Sequence, residues 1–209
     1  MTRAKLTAAL CCAAVCALAV EPSAALFENN DVKVSRALEK AHVKGSFHEH
    51  KMNRVMVYLQ PGRQRFEYQD GRQPAVFDWK AGQVVWSRSE GMHSPEVVTD
   101  EGFNIIEVEL KKPGAGNTAA AGGSSDALKL DGKHVSLEFE NDQVRVLRVR
   151  LGAHESTPAI GESHNCVSVY LTDTTSHKFG DAVWEAPGAR KIENTGDKPL
   201  EMILIELRT

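Results

Sequence analysis

The stretch FENNDVKV at residues 27–34 returns almost unchanged as FENDQVRV at residues 139–146, 112 positions later. A second stretch, VMVYL at residues 55–59, returns as VSVYL at residues 167–171 with the same offset. Self-similarity at a fixed offset is the signature of a duplicated structural unit. The chain is therefore predicted to contain two similar domains in succession.

The second copy is predicted to be shorter than the first. GQVVW at residues 82–86 matches GDAVW at residues 180–184, with an offset of 98, and VEL at 108–110 matches IEL at 205–207, with an offset of 97. Because the offset has fallen from 112, residues must be missing from the second copy before position 180. We expect the loss of a hairpin that helps to close the first domain.

Both copies are predicted to consist of β-strands. RFEYQ at residues 65–69 meets Asp70-Gly71, a pair that favours a hairpin turn. Residues 34–43 fit a helix or a strand. Regularly spaced short strands favour a β-sandwich or barrel, so the predicted class is all-β. The further predicted strands are residues 75–79, 83–86 and 104–110 in the first copy, and 134–139, 144–151, 167–171 and 200–207 in the second.

The first 25 residues have the pattern of a secretory signal peptide. Arg3 and Lys5 precede an apolar run at residues 6–20, and small residues lead up to a cleavage site after Ala25. The run is too short to span a bilayer, and no later segment is longer, so no membrane span is expected in the mature chain. The protein is predicted to be exported to the periplasm or the extracellular medium.

The remaining chain divides into two domains and a linker. Residues 112–126 are rich in Gly, Ala and Ser and lack apolar periodicity, which is typical of a flexible linker between domains at 26–111 and 127–209. Cleavage of the leader would leave Cys166 as the single cysteine, which excludes a disulfide framework. The net charge of the whole chain is −3, so nothing indicates a nucleic-acid partner.

Three histidines of the first domain have metal-ligand spacing. His48 and His50 are two residues apart, so on a strand their side chains would share one face, and His93 follows on another strand or loop. Three neutral imidazoles suit a divalent transition metal (Fe, Mn, Zn or Ni) and leave open coordination positions.

This arrangement resembles the two motifs of the cupin superfamily. GSFHEH at residues 45–50 followed by Gly62 is similar to the first motif, and Gly82 followed by His93 is similar to the second. The resemblance covers both copies. It implies a bicupin: two double-stranded β-helix (jelly-roll) barrels, the second one trimmed, with any metal inside the mouth of the first.

The sequence departs from the cupin motifs in one chemically important place. The family's glutamate ligand falls on Arg54, which cannot be deprotonated and would be repelled by a bare cation. Three interpretations stay open. Three histidines hold the metal while Arg54 binds a substrate carboxylate; or the metal is lost and Arg54 completes an anion pocket; or the site is a satisfied polar core.

The second copy has lost the ligands. At the offsets above, its counterparts of the three histidines and Arg54 are Ile160, Glu162, Arg190 (or Lys191) and Cys166. We expect Glu162 and Arg190 to form an ion pair where a metal once lay, and Cys166 to be a buried, inert thiol. The second domain is therefore predicted to be structural.

The functional prediction is an exported bicupin that binds a divalent metal in its first barrel. Its ligand would be a small molecule of anionic character, such as a carboxylate, oriented by Arg54 or Arg88. Whether the molecule is converted or only bound stays open, because one fold serves both enzymes and non-catalytic binding modules.

Overall fold

The computed structural model describes residues 24–89, 91–114, 118–119, 131–160 and 164–208. The regular elements within these ranges are strands, which confirms the all-β prediction. The described residues include no helix of the length and apolarity needed to cross a membrane. Most of the predicted leader and linker lies outside the described residues.

The first domain consists of two facing antiparallel sheets. One has the strand order β1-β2-β8-β3-β6 and the other the order β5-β4-β7. Residues 34–43, which fitted either a helix or a strand, begin within a strand. The eight strands are β1 (Ala24–Glu28), β2 (Val32–Glu39), β3 (Arg54–Tyr58), β4 (Gly62–Tyr68), β5 (Ala75–Trp79), β6 (Val84–Ser87), β7 (His93–Val97) and β8 (Phe103–Leu110).

The second domain repeats this plan with a shorter second sheet. Its larger sheet has the order β14-β13-β16-β11-β10-β9, and its smaller sheet contains β12 and β15 alone. These strands are β9 (Thr118–Ala119), β10 (Val135–Asn141), β11 (Val144–Leu151), β12 (Ser156–Ile160), β13 (Cys166–Tyr170), β14 (Ala182–Glu185), β15 (Arg190–Glu193) and β16 (Leu200–Leu207).

The two copies share details of register as well as strand order. The β1–β2 pairing shifts between Ala25 and Phe27, and the β10–β11 pairing shifts between Leu137 and Phe139, which is 112 residues later. In the turn after β1, the side chain of Asn29 accepts hydrogen bonds from two backbone N–H groups, as Asn141 does after β10. The duplicated FEN motif therefore encodes a bulged hairpin closed by an asparagine.

The shortening of the second copy coincides with the predicted hairpin. In the first domain, β4 and β5 lie between β3 and β6, and β4 pairs with β7. In the second domain no strand lies between β13 and β14, so β15 pairs with β12 alone in the described structure. The second domain is therefore the trimmed one.

The two domains pack through the outer faces of their larger sheets. This interface core is entirely aliphatic, and its members are at most 5% exposed. Burial of that much apolar surface is the dominant favourable term in holding two sheets together. From the first domain it contains Val32, Val34, Val55, Val57, Leu59, Ile106, Val108 and Leu110; from the second it contains Val144, Val146, Val167, Val169, Ile203, Ile205 and Leu207.

Two equivalent arginines form hydrogen bonds across the edges of this interface. Arg36 of β2 donates from Nη2 to the carbonyl of Gly180 across the interface, at 2.6 Å, and its counterpart Arg148 of β11 donates from Nη2 to the carbonyl of Gly82, also at 2.6 Å. Both glycines have positive φ, +71° at Gly82 and +83° at Gly180, a conformation that favours glycine. The glycines shared by the two GxxVW motifs thus present acceptors to the opposite domain.

A second pair of equivalent bonds crosses the same interface. Asn53 donates to the Oε1 of Gln143 at 2.6 Å, and Asn165 donates to the Oδ2 of Asp31 at 3.2 Å. Asn53 and Asn165 are counterparts, as are Asp31 and Gln143. The domains are therefore related by an approximate two-fold axis, as in a symmetric dimer whose protomers have been joined in one chain.

The buried Arg148 offers a test of this interface. Besides Gly82, it binds Glu138 and Glu201, and its side chain is only 8% exposed. Arg148→Met would leave both carboxylates and the Gly82 carbonyl without this partner, so we expect the free energy of unfolding to fall by about 3 kcal/mol. Urea denaturation followed by circular dichroism measures it.

The matched control is Arg150→Met on the same strand. Arg150 also contacts Glu201, at 3.1 Å, but its side chain is 60% exposed. An exposed ion pair contributes less than about 1 kcal/mol. Equal losses of stability in the two variants would contradict the assigned role of Arg148.

Candidate metal and ligand site

The interior of the first domain carries polar and charged side chains at five positions where the second domain carries apolar ones. Counterpart pairs are related by the offsets of 112 and 97. All five of the apolar counterparts belong to one buried core, which fills the second domain's interior. The pairs are Ser35 and Leu147, Glu39 and Leu151, His48 and Ile160, Arg54 and Cys166, and Glu107 and Leu204.

The three predicted histidines come together at one end of this interior. Each offers one ring nitrogen such that the three nitrogens lie within 4.8 Å of one another. The ring centroids are 5.0 Å apart for His48 and His50, 4.7 Å for His48 and His93, and 5.6 Å for His50 and His93. Ligands of one ion can be at most about 4.2 Å apart at ordinary metal–nitrogen distances, so only a small contraction is needed.

Hydrogen bonds on the opposite ring atoms set the tautomers of two histidines. The Nδ1 of His48 lies 2.9 Å from the carbonyl of Ser46, and the Nδ1 of His93 lies 3.3 Å from the carbonyl of Gly91. Because a carbonyl only accepts, the neutral form of each ring carries its proton on Nδ1 and its lone pair on Nε2. The Nδ1 of His50 faces the carboxylate of Glu109 at 3.5 Å. Such partners orient metal-binding histidines.

Backbone pairing explains how distant histidines meet. His48 and His93 form an isolated antiparallel bridge, with each backbone N–H donating to the other residue's carbonyl at 2.9 Å. The two histidines do not lie on one continuous strand, because His48 contributes a single bridge and His50 lies in irregular chain before β3, where it contacts Glu109 on β8. Their rings nevertheless meet at the same site.

The protonation state of His93 suits coordination. Its ring is 9% exposed, and burial, together with the neighbouring His48, lowers its pKa to about 4. His93 is therefore neutral at pH 7, the form that binds metals. Glu109 is held ionised, since its hydrogen bond with His50, with a further contribution from Lys33, lowers its pKa.

Arg54 lies in the same interior as a buried and incompletely bonded cation. The residue is 4% exposed, and its Nη1 is 3.5 Å from the Oε1 of Glu107. In the described part of the chain, neither its Nε nor its Nη1 has a hydrogen-bond partner. Arg148, equally buried, uses its Nε and both terminal nitrogens in hydrogen bonds. Buried polar groups are normally satisfied, so Arg54 requires an explanation.

A cavity of 330 Å³ opens beside these groups. Its polar end is formed by His93, Arg54, Ser87 and the exposed Arg88. The rest of its wall is apolar or aromatic, from Met56, Tyr58, Phe66, Tyr68, Phe77, Trp79, Val85 and Trp86. Ligand sites have this combination of apolar walls and a few fixed polar groups.

The described residues of the second domain include no cluster that could hold a metal ion. Cys166 is fully buried, and burial raises its pKa to about 12. Arg190 pairs with Glu185, at 3.2 Å, and donates to the carbonyl of Ala186. Glu162, the predicted partner of Arg190, lies outside the described residues, so that pair stays a prediction.

Comparison with known proteins identifies the fold. The structure is similar to AerE of Microcystis aeruginosa (TM-score 0.62, 12% identity, 87% of this chain and 90% of that one). It is similar to a cupin 2 conserved barrel protein of Leptotrichia buccalis (0.55, 11%, 88% and 88%) and to the Bacillus subtilis oxalate decarboxylase, a protein with Mn(II) centres (0.57, 12%, 84% and 68%). The chain has the cupin fold. No family model and no curated protein matches it by sequence.

Three acidic residues of this bicupin were missed by sequence reasoning. Glu107 and Glu109 lie on β8 at 8% exposure each, and Glu39 lies opposite on β2. Burial, with the nearby Glu107, raises the pKa of Glu39 to about 7. Alternating glutamates within the apolar stretch IIEVEL at 105–110 were the available signal, since alternate residues of a strand share one face.

The lowered pKa of His93 predicts how stability depends on pH in metal-free protein. The unfolded chain takes up the proton near pH 6.5, whereas folded His93 does so only near pH 4. The unfolded state therefore binds more protons between these values, and the free energy of unfolding should fall as the pH is lowered from 6.5 to 4. NMR titration of the ring proton measures the pKa of His93. Urea denaturation at several pH values measures the free energy of unfolding.

His93→Gln should reduce the slope of this pH dependence. The control is His42→Asn, since His42 is 61% exposed and has φ +55°, which asparagine tolerates. An unchanged slope in His93→Gln, or a His93 midpoint near 6.5, would contradict the neutral buried ring.

Proposed function

We propose that this bicupin binds one divalent transition metal through the Nε2 atoms of His48, His50 and His93. The observation that carries the proposal is the convergence of three imidazoles whose opposite ring atoms face acceptors. Imidazole suits Fe, Mn, Zn and Ni, and three protein ligands leave positions for water or a small molecule. The Mn(II) centres of the similar oxalate decarboxylase support metal use.

We propose further that the metal-binding barrel receives a small anionic molecule. Arg54 replaces an anionic ligand with a cation, so a bare hydrated ion is disfavoured and an ion with a bound anion is favoured. Arg88, at the rim of the cavity, adds positive charge along the entry path. When bound, the metal would supply Lewis-acid or oxygen-activating chemistry. Arg54 would orient the anion beside it.

A non-catalytic binding module is the second candidate function. The observation that favours it is that both buried carboxylates of β8 already have partners: Glu107 contacts Arg54, and Glu109 contacts His50. Turnover of a bound carboxylate by metal-loaded protein separates the two functions.

We propose that the protein is exported after cleavage following Ala25. Ala24 and Ala25 pair with Arg36 and Ser35 at the start of β1. Cleavage would remove only these two register positions and leave the pairs made by Phe27 and Glu28, so the fold is compatible with processing.

The first test is metal binding by protein purified without a histidine tag. About one divalent metal per chain is expected by elemental analysis, and His50→Ala should weaken binding, measured by calorimetry with Mn²⁺ or Zn²⁺, by more than about ten-fold. Arg54→Glu should strengthen it, because a carboxylate replaces a repelling charge.

The matched control is His154→Ala. His154 is 65% exposed and lies outside the cluster, so its loss should leave metal affinity unchanged. Equal affinity in wild type and His50→Ala would refute the three-histidine site.

The second test concerns processing. Protein recovered from its native cells should begin at Leu26, measured by intact mass and N-terminal sequencing, because the leader has the order of a signal peptide. Recovery of the mature protein with Met1 at its terminus would contradict export by this route.

A further inference from the structure

We propose that the natural ligand of the first barrel is a monocarboxylate with an aromatic or bulky apolar body, rather than a very small acid such as oxalate or acetate. This inference rests on the proposed function, since it concerns the ligand of the same barrel. It follows from the two ends of the cavity, which differ in chemistry.

The polar end supplies one strong anion-binding group. Arg54 is buried, and its Nε and Nη1 have no hydrogen-bond partner among the described residues. An N–H group of a guanidinium donates a strong, charge-assisted hydrogen bond to a carboxylate, and such a bond would satisfy one of these donors. Glu107 at 3.5 Å from Nη1 offsets the charge but leaves these donors unused. One buried arginine fits one carboxylate.

The apolar end is a continuous series of rings. Tyr58 stacks on Trp79 with centroids 4.2 Å apart, and Trp79 stacks on Phe77 at 5.4 Å. Phe77 meets Phe66 edge-on at 5.7 Å, and Phe66 lies 5.7 Å from His93. The series therefore runs back to the candidate metal site. The indole N–H of Trp79 is already donated to Gln64, so Trp79 contributes its ring surface to this wall.

One ring of this wall is exposed to solvent. Phe77 is 41% exposed although it lines the cavity. A two-carbon acid at Arg54 would leave most of the 330 Å³ and this ring surface in water. A ring or branched chain attached to the carboxylate would bury it, and burial of apolar surface is favourable in proportion to area. Offset stacking on Phe77 and Trp79 adds to that gain.

The internal duplication provides an independent comparison. The second domain has replaced Arg54 by Cys166 and Glu107 by Leu204, and it lacks the β4–β5 hairpin that carries Phe66 and Phe77. Arg54 and the two rings of the hairpin are thus present together in one copy, and the described part of the other copy has no counterpart of any of them. This is expected of two parts of one binding site.

The experiment measures binding of four probes to the metal-loaded full chain by calorimetry. Benzoate should bind at least about ten-fold more tightly than acetate and oxalate, because the ring is buried on the aromatic wall. It should also bind at least about ten-fold more tightly than benzamide, which has the same shape without the charge. Oxalate or acetate binding as tightly as benzoate would overturn the inference.

Two variants assign these preferences to residues. Arg54→Gln should bring the affinities for benzoate and benzamide within about two-fold of each other, whereas Arg63→Gln, an exposed arginine paired with Asp78, should not. Phe77→Ala should weaken benzoate at least about five-fold and leave acetate unchanged. Its control is Val76→Ala, on the same strand, 55% exposed and outside the cavity wall.

Metal content is measured in the same samples, which separates this inference from the metal proposal. Benzoate preference without bound metal would overturn the metal site and keep the ligand assignment. One metal per chain with no preference for benzoate would support the metal site and overturn the ligand assignment. If Arg54→Gln does not fold, the benzoate–benzamide ratio in wild type and the Phe77→Ala comparison decide, and a ratio near one would overturn the inference.

Discussion

The structure depends on the contact between two aliphatic sheet faces. Each larger sheet places its alternate residues against the other domain and the residues between them into its own interior. The shared face is almost wholly Val, Ile and Leu and is closed to water. Because a strand shows opposite faces at successive positions, fixing this outer face also fixes which side chains point inward. The polar side chains of the first domain's candidate site lie on the inward face that this alternation creates.

The two copies differ in what their interiors contribute. The second contributes a stable apolar core, and the first carries the polar groups of the candidate site. In the second copy the inner face is a well-packed apolar core, and in the first the same positions hold a serine, a histidine, an arginine and glutamates. A buried charge without full pairing is costly, so the first copy would be a poor domain by itself. The aliphatic interface with the apolar copy gives it a rigid support, which offsets the cost of the unsatisfied polar groups in its interior.

The symmetric hydrogen bonds fix the orientation of the two domains at their interface. Arg36 and Arg148 reach across to the carbonyls of Gly180 and Gly82, and Asn53 and Asn165 bind the side chains of Gln143 and Asp31. Apolar contact alone would allow two flat sheets to slide or rotate. The directional bonds at their edges fix one arrangement, and so fix β3 and the Arg54 at its start.

Much of this was determined by the sequence alone. The repeated FEN and VYL motifs gave the duplication, the falling offset located the lost hairpin, and the spacing of His48, His50 and His93 indicated the cluster. These features are readable because strand period, turn residues and ligand chemistry act within a few residues of the chain. A continuous strand carrying both His48 and His50 is not found, since His50 lies in irregular chain before β3.

Only the tertiary structure revealed the environment of Arg54. Its burial, the distance to Glu107, the facing Glu39 and the row of rings from Tyr58 to Phe66 join residues from five strands. No local pattern specifies such contacts, because side chains far apart in sequence meet only after the sheets have paired and faced each other. The candidate metal-binding histidines could therefore be predicted from the sequence, whereas the shape and polarity of the cavity beside them were decided by the packing of the two sheets.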